Sequence, residues 1–570
     1  MPEQHLTAQG TAYRNRVSHS MFKIRIFPWQ LAIAAAIFIT IANNTRLIGS
    51  LWGVVDLSSW SGIVLLLFIL LLMVHVLNTL FLVFGIGPLL KVLIAVTLIT
   101  CAMLGYFANE MGIVFDQEML HSIADTMREK NADEALELAS WPLIRHTLLF
   151  GILPAMLLLL LPVSNAPPML ELRNRVLAIL AGVIILAPMA LGNYRYTSFV
   201  AVEHRDLRFL VIPVFPLISA IKIARDALHV TPEFHQLGSE AVTHKSGKRT
   251  VGVMVVGETA RADHFSLNGY PRLTNPNLEK LDGLIYLDAT ACGTSTAYSV
   301  PCMFFLRGHD HYTPETAESE SNVLDILSSA GIETIWIDNN STCKHVCDRI
   351  ENANLRVHRD GTIQHDGEYD SELIGIVKQY LDRSEADLLI VLHMMGSHGP
   401  AYSRRYPEEF ATFTPYCHEM SPTDCDVGEV VNAYDNSIVF TDYVLSHLIA
   451  ELAEHRQEFD SFLFYASDHG ESLGENGVYL HGLPASIAPR SQTDVPMILW
   501  LSPEYRQAHG LNFTDAGAMT TESLSHDNIP HTLMGLFDVD TSWYRPEADM
   551  FNATRTATLG ANKTTAGHSD

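Results

Sequence analysis

Long apolar runs in the first 200 residues constrain this chain most, because a helix needs about 20 apolar residues to cross a bilayer. The runs cover residues 29–42, 62–100, 143–163 and 176–191. The second run is too long for one helix, and a Gly-Ile-Gly-Pro segment at 85–88 favours a tight hairpin within it. We therefore predict five membrane-spanning helices within residues 1–193.

Positive charges beside these runs predict the orientation of the helices, since Lys and Arg favour the cytoplasmic side. They are Arg14, Arg16, Lys23 and Arg25 in the N-terminal tail, and Arg173 and Arg175 between the fourth and fifth helices. The 108–141 loop is rich in Asp and Glu instead. The N-terminus is therefore expected in the cytoplasm, and five crossings place everything after residue 193 on the far side of the membrane.

The rest of the chain is expected to form three segments. Residues 194–244 are a bridge, whose Pro-broken apolar stretch from Phe209 is too short to span and favours an interfacial helix. Residues 245–555 form a domain, and 556–570 a polar, mobile tail. Short apolar runs recur within the domain at 250–256, 333–337, 387–393, 461–465 and 496–501. Such runs favour strands covered on both faces, hence a largely parallel α/β sheet.

Six of the seven cysteines lie in the exported part as close pairs, namely Cys292/Cys302, Cys343/Cys347 and Cys417/Cys425. An even, paired set in an exported domain predicts disulfides. Zinc binding by Cys343 and Cys347 is the competing interpretation, and it is weaker because no second pair lies nearby at a fitting spacing. Cys101, at the end of a predicted span, is expected to be a free thiol.

The formal net charge of −26 argues against nucleic acid as a partner. An anionic lipid would not be attracted by this overall charge either. Any attraction for such a lipid must therefore come from local cations or from a bound metal.

Polar residues that can bind metal follow several predicted strands directly. Glu258 follows the 250–256 run, Asp468 and His469 follow 461–465, and His398 lies shortly after 387–393. Ligand sites of open α/β sheets lie at the carboxyl ends of the strands. Each residue alone would more often be a cap or a surface group, but their joint occurrence favours a site. Glu258, Asp468 and His469 form a ligand set that suits Zn²⁺.

A hydroxyl-rich segment lies between Cys292 and Cys302. A bridge between these cysteines would hold the loop rigid, as a nucleophile requires. A Thr hydroxyl is a weak nucleophile until metal coordination lowers its pKa. The alternative is a Ser/Thr-rich surface loop with a structural disulfide.

Six motifs together resemble one known family. They are Gly257-Glu-Thr-Ala-Arg-Ala-Asp-His, the 292–302 segment, Gly396-Ser-His-Gly-Pro, Asn432-Ala-Tyr-Asp-Asn, Ser467-Asp-His-Gly-Glu-Ser and Tyr479-Leu-His-Gly. The chain resembles the phosphoethanolamine transferases of Gram-negative inner membranes, which include lipid A-modifying and mobile colistin resistance enzymes. The resemblance covers nearly the whole chain. It implies five spans before a periplasmic α/β domain of alkaline-phosphatase/sulfatase-like fold.

The resemblance also implies roles for individual residues. Thr296 matches the nucleophile and fourth zinc ligand, beside the zinc ligands Glu258, Asp468 and His469. His398 and His481 match residues that bind the phosphoryl group or a second zinc. Lys344 and Ser341 match phosphoethanolamine-binding residues, and Ser122, Thr126 and Glu134 match substrate contacts after the third span. This last stretch departs from the family pattern, because Ser122 replaces an Asn and the Thr-to-Glu spacing is longer. The three cysteine pairs are similar to disulfides of lipid A-directed members.

The implied reaction moves phosphoethanolamine from phosphatidylethanolamine to Thr296 and then to a lipid A phosphate. The enzyme is expected to act as a monomer in the inner membrane, to reduce the negative charge of the cell surface and so to give resistance to polymyxin and other cationic peptides. Transfer to a core sugar (Kdo or heptose) and phosphoglycerol transfer remain alternatives. A sulfatase is disfavoured, since the nearest match to its Cys/Ser-x-Pro-x-Arg segment has Met303 in place of the Arg.

Overall fold

The computed structural model describes residues 26–128, 140–164, 167–226, 233–244, 247–340, 342–355, 369–419, 421–511 and 524–551. The chain divides into two compact units. One consists of Met1–Met103 and Arg145–Arg205, and the other of Leu104–Ile144 and Asp206–Asp570. The predicted tail 556–570 lies outside the described residues, and the predicted domain boundaries remain predictions.

The N-terminal region is helical. Its helices are α1 (Pro28–Ala42), α2 (Thr45–Val54), α3 (Trp60–Phe84), α4 (Leu89–Met111), α5 (Gln117–Arg128), α6 (Trp141–Leu160), α7 (Pro168–Gly192), α8 (Tyr194–Glu203) and α9 (Val214–Asp226). Among the described residues, α3, α4, α6 and α7 are long and apolar enough to cross a membrane. The break between α3 and α4 coincides with the predicted hairpin at 85–88, where Gly87 has a φ of 57°.

The first predicted span, whose core is the apolar run 29–42, consists of a short helix followed by a bend. Helix α1 has 15 residues and bends by 67° into α2. At 1.5 Å per residue α1 rises about 22 Å, less than the roughly 30 Å of a hydrocarbon core. The bend lies at Asn43 and Asn44, two poor helix formers that end the apolar run. The described chain therefore has four spanning candidates, or five if α1 and α2 together form one.

The segment after α8 contains a short 3₁₀ turn, Arg205–Leu210, followed by α9. Phe209 packs against Val114 and Leu483 in a small apolar cluster. Helix α9 leaves Leu217, Ile218 and Ile221 exposed. An apolar face of this kind supports the hypothesis of an interfacial helix.

Twelve strands are present in the described part of the second unit. They are β1 (Val242–Thr243), β2 (Arg249–Gly257), β3 (Leu284–Thr290), β4 (Glu333–Asp338), β5 (Glu351–Asn354), β6 (Leu388–His393), β7 (Phe459–Ser467), β8 (Ser472–Leu473), β9 (Tyr479–Leu480), β10 (Asp494–Leu501), β11 (Leu524–Ser525) and β12 (Val539–Asp540). Eight of them form the main sheet, in the order β11-β3-β10-β7-β2-β6-β4-β5.

The helices of this unit lie between the strands in sequence. They are α10 (Thr296–Met303), α11 (Pro314–Ser319), α12 (Val323–Ser329), α13 (Glu372–Arg383), α14 (Val427–Glu454), α15 (Arg490–Thr493), α16 (Pro503–Ala508) and α17 (Asn528–Leu536).

All five predicted runs are strands of the main sheet, but the last of them has the opposite direction. Strand β10 pairs antiparallel with both β3 and β7, whereas β7, β2, β6, β4 and β5 pair in parallel. The sheet is therefore mixed but largely parallel, as expected, and β10 is its antiparallel strand. An apolar run shows that a strand is buried, and it carries no information about direction.

Alternate residues of the central strands face two separate cores. Met254 and Val256 of β2 belong to one apolar cluster with residues of α12 and α17, whereas Val251, Val253 and Val255 belong to another with residues of α13 and α14. Both faces of the sheet are thus covered, as the continuous apolar runs predicted. The strands that carry the polar groups at their ends are therefore packed between two apolar cores.

The three expected disulfides are present, with Cα–Cα distances of 6.1 Å for Cys292–Cys302 and 5.8 Å for both Cys343–Cys347 and Cys417–Cys425. The disulfide between Cys343 and Cys347 removes the thiolates that zinc would need. Cys101 is a free, buried thiol. Each bridge closes a short loop and should stabilise the fold by about 2–3 kcal/mol.

Alkylation of unfolded, unreduced protein is therefore expected to modify one cysteine, Cys101. Intact-mass measurement after denaturing alkylation gives the number of modified thiols directly. The same protein treated with a reductant first should gain seven modifications, one for each cysteine. Three or more modified thiols without the reductant would contradict the disulfide pairing.

Candidate active site

Two neighbouring strands bring the side chains that are predicted to bind metal to one edge of the sheet. Strands β2 and β7 run in parallel, with Gly257 opposite Ser467. Glu258 follows the first of these residues, and Asp468 and His469 follow the second. The register therefore brings together side chains that lie about 210 residues apart in the chain, as the strand-end argument predicted.

Glu258, Asp468 and His469 form a compact buried cluster. One ligand atom from each lies within 4.8 Å of the other two, and all three side chains are fully buried. His469 Nε2 lies 3.3 Å from Asp468 Oδ2 and 3.5 Å from Glu258 Oε1. A cluster of two carboxylates and an imidazole at these distances is suited to a single divalent cation.

The hydrogen bonds of the cluster leave the right atoms available for a metal. His469 Nδ1 donates to the Gly470 carbonyl at 2.9 Å, so the lone pair lies on Nε2. Asp468 Oδ1 accepts from the Thr259 and His469 amides at 3.1 and 2.7 Å. Asp468 Oδ2 is buried and accepts no hydrogen bond from the described residues. A buried carboxylate oxygen in this position is expected to bind a cation.

The charges of the cluster give the same conclusion. Burial and the charge of Glu258 raise the pKa of Asp468 to about 7. Burial also disfavours ionisation of Glu258, but the neighbouring histidines, with His469 first among them, and a hydrogen bond from Thr259 together outweigh it and lower the pKa of Glu258 to about 2. Burial disfavours the imidazolium of His469, yet the two carboxylates raise its pKa. The cluster therefore favours a positive charge between its carboxylates, which a divalent metal supplies.

Thr296 lies at the first position of α10 and points its hydroxyl at this cluster. Its Oγ1 lies 3.1 Å from Glu258 Oε2, 3.3 Å from Glu258 Oε1 and 3.3 Å from His469 Nε2. The side chain is partly exposed, whereas the three ligands are buried. Thr296 is thus the member of the group that is accessible from solvent.

The backbone of the segment before α10 is fixed by contacts on both sides of Thr296. The Thr294 hydroxyl donates to the Leu483 carbonyl at 2.7 Å, and the Thr294 carbonyl accepts from the Gly482 amide at 2.7 Å. The Ser299 hydroxyl donates to the Asp468 carbonyl at 2.5 Å. The loop therefore presents Thr296 in one defined position, as the hypothesis of a rigid loop required.

His481 lies beside the cluster and is oriented by a buried carboxylate. Its Nδ1 lies 2.9 Å from Glu471 Oε2, and Glu471 Oε1 accepts from the Tyr402 hydroxyl at 2.9 Å. The centre of the His481 ring lies 4.2 Å from that of His469. Burial and the His469 charge lower the pKa of His481 to about 3, so the ring is a neutral ligand or donor.

His398 follows β6 in a turn that packs closely against Glu258. Its ring centre lies 6.0 Å from that of His481. Gly396 has a φ of 52°, and a Cβ there would lie 2.7 Å from the Glu258 carbonyl oxygen. Only glycine permits this close approach. The turn thus carries His398 to the same edge of the sheet.

Only some of the other predicted substrate-contacting residues belong to the described part of the chain. Lys344 is partly buried in the loop closed by Cys343–Cys347, with a φ of 47°. Ser122 is partly buried in α5, which packs against α10. Thr126 also belongs to α5, but its side chain lies outside the described residues, as do Ser341 and Glu134 altogether. The roles of these five residues remain predictions.

Asn340 is a component of the site that the sequence argument missed. Its side-chain amide donates to Glu258 Oε2 at 2.7 Å and to the Met394 carbonyl at 3.0 Å. Its backbone amide donates to Asp338 Oδ1 at 2.8 Å. Asn340 follows β4 at the same edge of the sheet, and ligand sites of such sheets lie at the carboxyl ends of the strands, so its position in the sequence could have identified it. It was missed because an amide is not a zinc ligand.

The mixed sheet, the buried Glu-Asp-His cluster and the threonine at a helix N-terminus define an enzyme of the alkaline-phosphatase/sulfatase-like fold, preceded by a membrane-embedded helical region. Comparison with known proteins agrees. Residues 250–539 match the family described as "Sulfatase", and residues 62–228 match "Phosphoethanolamine transferase EptA/EptB". The chain belongs to the lipid A phosphoethanolamine transferase family, and its C-terminal domain is periplasmic.

Relatives match over most of their length. The chain is 37% identical over 460 residues to phosphoethanolamine transferase EptA of Escherichia coli K12, covering 79% of this chain and 83% of that protein. It is 35% identical over 539 residues to phosphatidylethanolamine transferase Mcr-1 of Escherichia coli, covering 91% and 96%. The solved structure of lipooligosaccharide phosphoethanolamine transferase A from Neisseria meningitidis superimposes with a TM-score of 0.86 at 29% identity, covering 93% and 99%.

Proposed function

We propose that this chain transfers phosphoethanolamine from phosphatidylethanolamine to a phosphate of lipid A, with Thr296 as the nucleophile. Glu258, Asp468 and His469 would hold a zinc ion beside it. The product carries an added ammonium group, which offsets phosphate charge and would weaken the binding of polymyxin and other cationic peptides. Both substrates are lipids, which explains why a periplasmic catalytic domain is joined to membrane helices in the inner membrane.

The position of the Thr296 hydroxyl carries this proposal. It is the partly exposed oxygen at 3.1–3.3 Å from Glu258 and His469, while the remaining ligand atoms are buried. When bound there, zinc would lower the pKa of a nearby hydroxyl and neutralise charge on the phosphoryl oxygens. Thr296 is also the first residue of a helix, and the positive end of the helix dipole favours an anionic phosphoryl group there.

The proposed reaction has two steps that use the same oxygen. In the first, Thr296 Oγ1 forms a bond to the phosphorus of phosphatidylethanolamine, its proton is lost, and the bond to diacylglycerol breaks with protonation of the leaving oxygen. In the second, an oxygen of a lipid A phosphate forms a bond to the same phosphorus, the bond from phosphorus to Thr296 Oγ1 breaks, and Oγ1 regains a proton. His398, His481 and Lys344 would bind the phosphoryl oxygens during both steps.

Lipid A phosphate is favoured over a core sugar as acceptor by the extent of the similarity. Relatives named EptA or Mcr match 78–91% of this chain. The Kdo(2)-lipid A phosphoethanolamine 7''-transferase of Salmonella typhimurium is 32% identical over 273 residues and matches 46% of the chain. Phosphoglycerol transfer is the third candidate. Phosphoethanolamine transfer is favoured over it because the long relatives are named phosphoethanolamine transferase EptA and phosphatidylethanolamine transferase Mcr-1.

Mass spectrometry of lipopolysaccharide tests the acceptor. Cells that express the chain are expected to gain phosphoethanolamine units on lipid A, relative to cells that express the Thr296→Ala variant. Mild acid hydrolysis separates lipid A from Kdo and the core, so each fragment can be weighed on its own. Phosphoethanolamine on the Kdo or core fragment would contradict lipid A as the acceptor. Phosphoglycerol on any fragment would contradict phosphatidylethanolamine as the donor.

A further inference from the structure

His526 is a buried histidine outside the cluster that contacts the chain on both sides of the site. It lies between β11 and α17 and is fully buried. The backbone amide of Cys292 donates to its Nδ1 at 3.0 Å. Its Nε2 lies 2.9 Å from the carbonyl oxygen of Ser467. The ring therefore joins the segment before Thr296 to the end of strand β7.

These partners determine the protonation of the ring. An amide can only donate, so Nδ1 must carry a lone pair, and a carbonyl can only accept, so Nε2 must carry the hydrogen. The imidazole is therefore neutral. Burial, in addition, lowers the pKa of His526 to about 3, which keeps it neutral at any ordinary pH. No side chain with a single polar atom could make both contacts.

Both ends of this bridge adjoin residues of the reaction. Cys292 lies four residues before Thr296, and Ser467 immediately precedes Asp468. A second bond spans the same gap, because Ser299 of α10 donates to the Asp468 carbonyl at 2.5 Å and lies 3.4 Å from His526 Nδ1. His526 and Ser299 thus fix the nucleophile segment at both ends against one strand.

We propose that His526 is a positioning residue for Thr296, which holds the Cys292–Thr296 segment in register with the ligand-bearing end of β7. The inference rests on the proposed role of Thr296 as nucleophile. His526 does not touch the reacting atoms. Its effect is geometric, since a displacement of about 1 Å at a nucleophile can cost 10²-fold in rate. The Cys292–Cys302 disulfide restricts the segment but does not join it to β7.

Two conservative variants separate the two contacts. The carbonyl oxygen of an asparagine occupies nearly the position of Nδ1, so His526→Asn can accept from the Cys292 amide. The amide nitrogen of a glutamine occupies nearly the position of Nε2, so His526→Gln can donate to Ser467. His526→Ala makes neither contact. His531→Ala is the matched control. His531 lies in α17 and is buried like His526, but its ring accepts a hydrogen bond from Arg545 and forms none with Cys292 or Ser467.

The first measurement is hydrogen–deuterium exchange of the full-length protein in detergent. The Cys292 amide should exchange faster in His526→Ala and His526→Gln than in the wild type, and should stay protected in His526→Asn and His531→Ala. This readout does not depend on turnover. A Cys292 amide that is equally protected in all variants would overturn the proposed bridge.

The second measurement is release of diacylglycerol from fluorescent phosphatidylethanolamine in a single turnover, per zinc-loaded molecule. His526→Ala should slow it about 100-fold, with zinc affinity within about threefold of the wild type, and His526→Asn should restore most of the rate. A His526→Ala rate within twofold of wild type, no rescue by asparagine, or an equal loss in His531→Ala would overturn the role. If His526→Ala does not fold, the single-turnover rates of His526→Asn and His526→Gln are compared instead. A faster rate in His526→Asn supports the role, and an equal or slower rate overturns it. A wild-type protein with no adduct on Thr296 would instead contradict the proposed function.

Discussion

Replacement of Thr296 by alanine is expected to abolish phosphoethanolamine transfer while leaving the fold intact. The variant lacks the partly exposed oxygen near Glu258 and His469, and water cannot hold the group for a second lipid. Loss of a nucleophile that forms a covalent intermediate typically costs far more than about 10³-fold in kcat. Thr296→Ser keeps the oxygen but loses the methyl group that restricts χ1, so reduced activity is expected.

Ser295 provides a matched control for this experiment. It directly precedes Thr296, is buried, and its hydroxyl makes no hydrogen bond to the described residues. Ser295→Ala should therefore transfer at close to the wild-type rate. Incubation with phosphatidylethanolamine alone should place phosphoethanolamine on Thr296, as peptide mass spectrometry can establish. A Thr296→Ala protein with wild-type activity, or an adduct on Thr294, Ser295 or Ser299, would show that the nucleophile is wrongly assigned.

Replacement of Asp468 by asparagine is expected to lower zinc affinity by at least about 100-fold. Oδ1 of Asp468 accepts two backbone amides, so the asparagine oxygen will take that position and the NH₂ group will occupy the place of Oδ2. The site then loses an anionic ligand and presents a donor to the cation. Chelator competition on the purified protein measures the zinc affinity.

A second buried aspartate serves as the control. Asp442 accepts from the Asn277 and Leu278 amides and does not belong to the cluster. Asp442→Asn should therefore destabilise the fold without changing zinc affinity. Equal zinc affinity in Asp468→Asn and the wild type would contradict the proposed ligand set.

Without zinc, Asp468→Asn is not expected to be less stable than the wild type, although it binds zinc more weakly. Because the pKa of Asp468 is raised from 3.8 to about 7, its contribution to the free energy of unfolding is fully present below pH 4 and is lost as the pH rises through 7. The asparagine variant has no such carboxyl. At pH 8 without zinc, Asp468→Asn should thus unfold at the same temperature as the wild type or a higher one. A strongly lowered unfolding temperature would indicate that the variant is merely misfolded.

Several features of this protein followed from local sequence. Apolar runs identified five strands of the main sheet and four long helices, because burial on all sides leaves an uninterrupted run. Glu258, Asp468 and His469 were found because they directly follow such strands, and parallel strands end at one edge. The cysteine pairs were found because their members are close in sequence. The roles of Thr296, Lys344, His398 and His481 came from family resemblance.

Other features depended on contacts between distant segments, which no local pattern records. The direction of β10 is set by its neighbours β3 and β7, and the short strands β5 and β11 are too polar or too brief to be recognised. The bend between α1 and α2 lies where the first apolar run ends, and the run does not predict the second helix of this bent pair.

The residues that hold the site in place also depend on contacts between distant segments. Asn340 bonds to Glu258 across 82 residues, and His526 bonds to Cys292 across 234. A metal ligand shows itself through its chemistry and its place after a strand. The residue that holds it is an ordinary polar side chain, and it acquires its role only when folding brings a buried donor or acceptor within hydrogen-bond distance.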